Sequence, residues 1–152
     1  MNVEFLDTKR RKKLIEELNS LFGITQLPKV LFETGKEKVR GFSGDLTIDE
    51  LYALDGLANI EFMGLYLFKK DMEFLRLGFD CALLLKGQIV KNVIEINSEQ
   101  LDAWMKGHNL DIVADRGIYI VKHENDAFGC GLSDGKHIIN FVPKERRIRR
   151  GS

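Results

Sequence analysis

Residues 115–150, "DRGIYIVKHENDAFGCGLSDGKHIINFVPKERRIRR", decide how the chain is read. "GIYIVKHEN", "AFGCGLSDG" and "HIINFVP" are short β-rich runs separated by Gly, Asn and Asp, which predicts consecutive strands joined by tight turns. Pro143 closes the last of them, and a run of arginines follows. Glycines flanking Cys130 read as a strand bend or a close backbone approach, with the cysteine facing a packed interior. A nucleophilic Cys130 would need a base or a cation beside it, and His123 and His137 each lie seven residues away across predicted turns. The buried reading is preferred.

Working outward, "EFMGLYLFKK", "CALLLKG" and "QIVKNVIEIN" add further strands, so residues 61–150 are expected to form a small mixed β-barrel or strongly bent sheet. One helix interrupts them, "EQLDAWMKG", with Ser98 as cap, Leu101, Trp104 and Met105 on one face, and Gly107 past its end. Trp104 is read as core. Nearer the N-terminus, Leu14, Ile15, Leu18, Leu21 and Phe22 share one helical face over residues 8–22, with Asp7 or Thr8 as N-cap and Gly23 after the last turn. "LPKVLFET" and "KVRGFS", joined by Gly35 and Lys36, predict a hairpin. "TIDELYAL" carries Thr47 and Glu50 in capping-box register, and "DGLAN" at 55–59 reads as a hinge. The fold class is therefore α+β, with a helix, hairpin and helix in residues 1–60 ahead of the strand-rich residues 61–150.

The chain has 152 residues, 44% of them apolar and 30% charged, which suits a globular domain with a real core. Its longest apolar stretch, "LANIEFMGLYLF", is too short to span a membrane, and no secretory leader is recognised, so the cytoplasm is the expected location. The closing Gly151 and Ser152 read as a cloning remainder. Net charge is zero, yet residues 1–13 carry five basic and two acidic side chains, and residues 136–150 carry six basic and one acidic. Such ends present one positive face if they converge, and local potential steers an anionic partner. They are equally read as solvated runs.

Two cysteines, Cys81 and Cys130, supply neither a disulfide framework nor paired metal-ligand spacing. His108, His123 and His137 are scattered, and adjacent carboxylates such as Asp49 with Glu50 fall where helix starts and turns favour acids. Neither nucleotide-binding fingerprint occurs. No catalytic residue, metal ligand or cofactor is expected.

The cations carry the chemistry instead. Lys136, Lys144, Arg146, Arg147 and Arg149 form the expected RNA-binding set, and Arg76, Lys86 and Lys122 are weaker candidates from turns and strands. Arginine suits bidentate phosphate contact and stacking on bases. The "SDGK" turn offers backbone N–H groups as a further anion site.

Taken together, "LRLG" at 75–78, Lys86 with Gly87, the helix end from Trp104 to His108, the hairpin from Gly117 to Gly131, and "NFVPKERR" at 140–147 resemble the PUA-type RNA-binding domain of RNA 5-methylcytosine methyltransferases of the small-subunit rRNA type. Residues from "LPKVLF" onward look similar to the pre-PUA segment of the same proteins and of archaeal and eukaryotic ribosome-biogenesis factors. The resemblance implies a PUA-like pseudo-barrel, binding of structured rRNA or tRNA, and work in RNA modification or ribosome biogenesis. Those methyltransferases place catalytic cysteines after Pro and Thr, whereas Cys81 follows Asp80 and Cys130 follows Gly129. The expectation is a non-catalytic RNA-binding protein, with a protein adaptor for an RNA methyltransferase or other RNA-modifying enzyme as the alternative. In the adaptor reading, "NIEFMGLYLF" or an uncovered strand edge forms the interface.

Overall fold

The computed structural model describes residues 3–28, 30–34, 38–42, 65–71 and 74–148. The expected "TIDELYAL" helix, the "DGLAN" hinge, the turn at Gly35 and Lys36, and Arg149 lie outside these residues. Within them the architecture is α+β, built on two open sheets rather than one closed barrel.

The first sheet orders its strands as they occur in the chain, β1 (Val3–Phe5), β2 (Val30–Thr34), β3 (Lys38–Phe42), β4 (Leu65–Asp71) and β5 (Phe74–Leu77), all antiparallel. Its strands come from both sides of residue 60. Helix α1 (Thr8–Phe22) connects β1 to β2, as the apolar spacing predicted. Asp7 accepts from the Arg10 N–H at its start, and Gly23 takes the left-handed conformation at its end (φ 86°).

The second sheet runs β6 (Val93–Glu95), β7 (Gly117–His123), β8 (Asp126–Ser133) and β9 (Ile138–Asn140). The β6–β7 pair is parallel, as its intervening helix α3 (Ser98–Met105) requires, and the other pairs are antiparallel. Asn97, not Ser98, caps α3: its side chain accepts from Gln100 N–H while the Gln100 side chain accepts from Asn97 N–H. This reciprocal box satisfies two otherwise orphan donors.

One strand expected from the sequence is a helix. "CALLLKG" contributes to α2 (Phe79–Leu84), with Asp80 in its first turn. Cys81, Ala82 and Leu85 are buried while Leu83 and Leu84 are exposed, which is helical spacing hidden inside an unbroken apolar run.

Two apolar clusters result. In the first, α1, α2 and the first sheet meet Ile118, Ile120 and Cys130; in the second, Trp104, Val121, Ile138 and Val142 pack together. Strands β7 and β8 thus supply both. The Trp104 indole N–H donates to the Phe128 carbonyl at 2.7 Å, satisfying the polar atom of a fully buried ring.

Candidate functional site

The register of the first sheet creates a row of cations. Lys38 pairs with Lys69 across β3 and β4, and Lys69 pairs with Arg76 across β4 and β5. Val39, Phe68 and Leu77 point the other way into the core, because successive side chains alternate across a strand. Directly paired residues in antiparallel strands stand on one face roughly 5 Å apart, where like charges destabilise the pairing. Two such like-charge pairs fall within three strands.

This row opens onto a groove of about 440 Å³, whose far side is formed by the start of α2 and by the segment after β9. Lys38, Arg40, Lys69, Arg76 and Arg146 line it with Phe79, Phe141 and Pro143, and Asp80 and Glu145 are its two carboxylates. The Arg76 guanidinium lies 3.9 Å from the centre of the Phe141 ring, a cation–π contact that fixes the cation against the groove wall. Arg146 reaches across to Asp80 at 2.6 Å. Both partners of that pair are well exposed, so it contributes at most about 1 kcal/mol to stability. An incoming anion competes with Asp80 for Arg146. Asp80→Asn is therefore expected to raise affinity for an anionic ligand several-fold while shifting the melting temperature little; unchanged or weaker binding would show that the pair does not compete.

The sequence-expected site residues divide. Arg76 and Arg146 line the groove. Lys144 is exposed in the 3₁₀ turn Lys144–Arg146 beside it, and Lys136 is exposed in the turn between β8 and β9. Lys86 pairs with Asp126 at 2.6 Å. Lys122 spends its ammonium on the carbonyls of Lys86 (3.2 Å) and Ile89 (2.8 Å), holding the segment after α2 to β7. Arg147 donates from Nε to the Val142 carbonyl and packs so closely over Gly107 that a Cβ there would lie 2.8 Å from Nε. Positive charge at the end of α3 also complements its dipole. Asn140 donates to the carbonyls of Trp104 and His108 at the same helix end. The two ends of "NFVPKERR" thus clamp α3, and its middle faces the groove.

Lys38, Arg40 and Lys69 were missed by sequence reading. The signal was the alternation Lys-Val-Arg in β3, which places two cations on one face, but only the strand register adds Lys69 and Arg76.

Two expectations are corrected. The N–H groups of the "SDGK" turn are already used: Asp134 accepts from Lys136 N–H (2.8 Å) and His137 N–H (2.7 Å), which hold its carboxyl below the usual carboxylate range, and the Ser133 hydroxyl accepts from Gly135 N–H. They do not form an anion site. In the N-terminal run, Arg10 pairs with Glu33 and Glu4, and Arg11 donates to the carbonyls of Leu27 and Pro28. These two arginines fasten α1 to the first sheet and to the loop ahead of β2.

Cys130 is buried, donates its thiol to the Leu77 carbonyl at 3.3 Å, and is pushed up to about 11 by burial. Burial pushes the Cys81 thiol up as well. Thiolate is the reactive form, so neither cysteine is expected to react with a thiol reagent at about pH 8 until the protein is denatured. Rapid labelling of the native protein would overturn this.

Among the described residues, no cluster of three or more His, Cys, Asp or Glu side chains suits a metal ion, and no helix is long and apolar enough to cross a membrane. Residues 91–148 match the family model described as "Methyltransferase RsmF PUA domain". The match takes in the second sheet, α3 and the 3₁₀ turn, and it leaves the first sheet and α2 outside. Over these residues the chain is similar to the PUA domain of the RsmF methyltransferase. No curated protein matches the chain.

Proposed function

We propose, from the PUA-type character of residues 91–148, that this protein binds structured RNA through the groove between its first sheet, the start of α2 and the segment after β9, and does so as a non-catalytic partner in rRNA or tRNA modification or ribosome biogenesis. The observation that carries this reading is the row Lys38, Lys69 and Arg76. A row of cations held close together by strand register attracts a polyanion, and phosphate contacts supply the sequence-independent part of RNA affinity. Arg40 and Arg146 extend the positive lining, and Lys144 flanks it. Lys122 and Arg147 support the fold rather than the contact, given the carbonyls they serve.

The adaptor alternative loses the inner part of its expected interface. Leu67 and Phe68 are fully buried, and β4 is paired on both sides. An RNA-modifying enzyme remains a partner that the RNA recruits in common.

Filter binding of the pure protein to rRNA fragments and tRNA tests the proposal. With four or five phosphates neutralised, the affinity is expected to fall by a factor of 10² or more between about 50 and 200 mM salt. An absence of binding at about 50 mM salt would sink the RNA reading. A protein partner retained after ribonuclease treatment would then favour the adaptor.

A further inference from the structure

A flat positive face suffices to hold a duplex backbone, but this site is concave. At about 440 Å³ it is the size of a small-ligand site, which runs from roughly 300 to 1,000 Å³. It is also two-sided. Lys38, Lys69 and Arg76 present charge, whereas Phe79, Phe141 and Pro143 present apolar surface across from them. Arg76 joins the two halves, since its guanidinium is held against the Phe141 ring. Aromatic rings and guanidinium planes are the surfaces on which unpaired bases stack, whereas an A-form helix keeps its bases paired and stacked and shows a protein mainly phosphates and 2′-hydroxyls.

We propose that the groove takes a single unpaired nucleotide, its base on the apolar wall and the Arg76–Phe141 stack, and its phosphate on the Lys38–Lys69–Arg76 row. This rests on the RNA-binding reading and narrows it: the preferred ligand is a single-stranded segment, and duplex is held by backbone charge alone. The ligand chemistry is that of a nucleoside monophosphate unit, whether free or within a strand.

The test is fluorescence anisotropy of the full chain with a labelled single-stranded RNA 12-mer of mixed sequence and a blunt duplex of the same length. Phe141→Leu removes the ring while keeping apolar volume at a partly buried site, and a thermal melt confirms that it is folded. The expected result is single-strand binding at least about tenfold tighter than duplex, lowered about five- to a hundredfold by Phe141→Leu, with duplex binding lowered less, because the duplex loses only the ring that holds Arg76 in place. Equal binding of the two RNAs, with Phe141→Leu affecting neither or both alike, overturns the nucleotide site while leaving RNA binding intact. Failure to bind either RNA overturns the RNA reading itself, and this inference with it. Competition with a mixture of the four ribonucleoside monophosphates separates the sources: displacement of the 12-mer at comparable concentration assigns the site to free nucleotide, and displacement only by unlabelled oligonucleotide assigns it to a strand.

Discussion

Lys69→Glu is expected to weaken RNA binding by about tenfold to a hundredfold and, in the same protein, to leave stability unchanged or slightly raised. The two effects have one cause. Lys69 stands between Lys38 and Arg76 in the register of three adjacent strands, so a carboxylate there turns two repulsive cross-strand pairs into attractive ones. Each such pair changes stability by roughly 0.2–1 kcal/mol. For the ligand the sign reverses. A charge-assisted contact is worth about 1.5–3 kcal/mol, and every 1.4 kcal/mol is a factor of ten. The slope of log affinity against log salt should also become shallower by about 1 to 2. Filter binding and thermal melts on one preparation read both quantities. Weaker binding together with a large loss of stability would mean that Lys69 matters to the fold and not to the groove.

Gly131→Ala is expected to cost about 1–3 kcal/mol, lowering the melting temperature by roughly 3–10 °C, and Gly131→Val should cost more. A Cβ at this position would lie 2.6 Å from Ile138 Cγ2, 2.7 Å from Trp104 Cη2 and 2.8 Å from the Ile139 carbonyl oxygen. The carbonyl belongs to β9, whose neighbouring Asn140 is the register partner of Gly131, so it cannot withdraw without loosening the pairing. Trp104 is fully buried and tied to Phe128, and it has no room to move either. Gly87→Ala is the matched control, because nothing lies within 4 Å of a Cβ there. Equal melting temperatures for Gly131→Ala and Gly87→Ala would contradict this account of the Gly-Cys-Gly step. Gly129 serves the same step differently: it takes φ 80°, with Phe79 3.0 Å from where its Cβ would be.

That step shows how far sequence alone could go. A bend or close approach around a buried Cys130 was legible, because strand glycines next to a small apolar residue have few other uses. The hairpin β7–β8, helix α1 and the burial of Trp104 were legible from alternation, helical spacing and turn residues. Helix α2 was not, since Leu83 and Leu84 are apolar yet exposed and so mask the three-residue buried face of Cys81, Ala82 and Leu85. The groove was half legible. Arg146 stood out within a basic run, but Lys38 and Lys69 are separated by 30 residues and meet only through a register that includes an irregularity between Val39 and Arg40. Composition cannot report such a meeting. Nor could it separate Arg147, which braces α3, from Arg146 beside it, which faces the groove.

The most direct measurement is ultraviolet crosslinking of the wild-type protein to RNA, with the crosslinked residues mapped by mass spectrometry. The expected result is crosslinks concentrated at Lys38–Arg40, Lys69, Arg76–Asp80 and Phe141–Arg146. Crosslinks confined to the Lys9–Lys13 run of α1, or to the Lys136 turn, with none in the groove, would contradict the assignment of RNA binding to the space between the first sheet, α2 and the segment after β9.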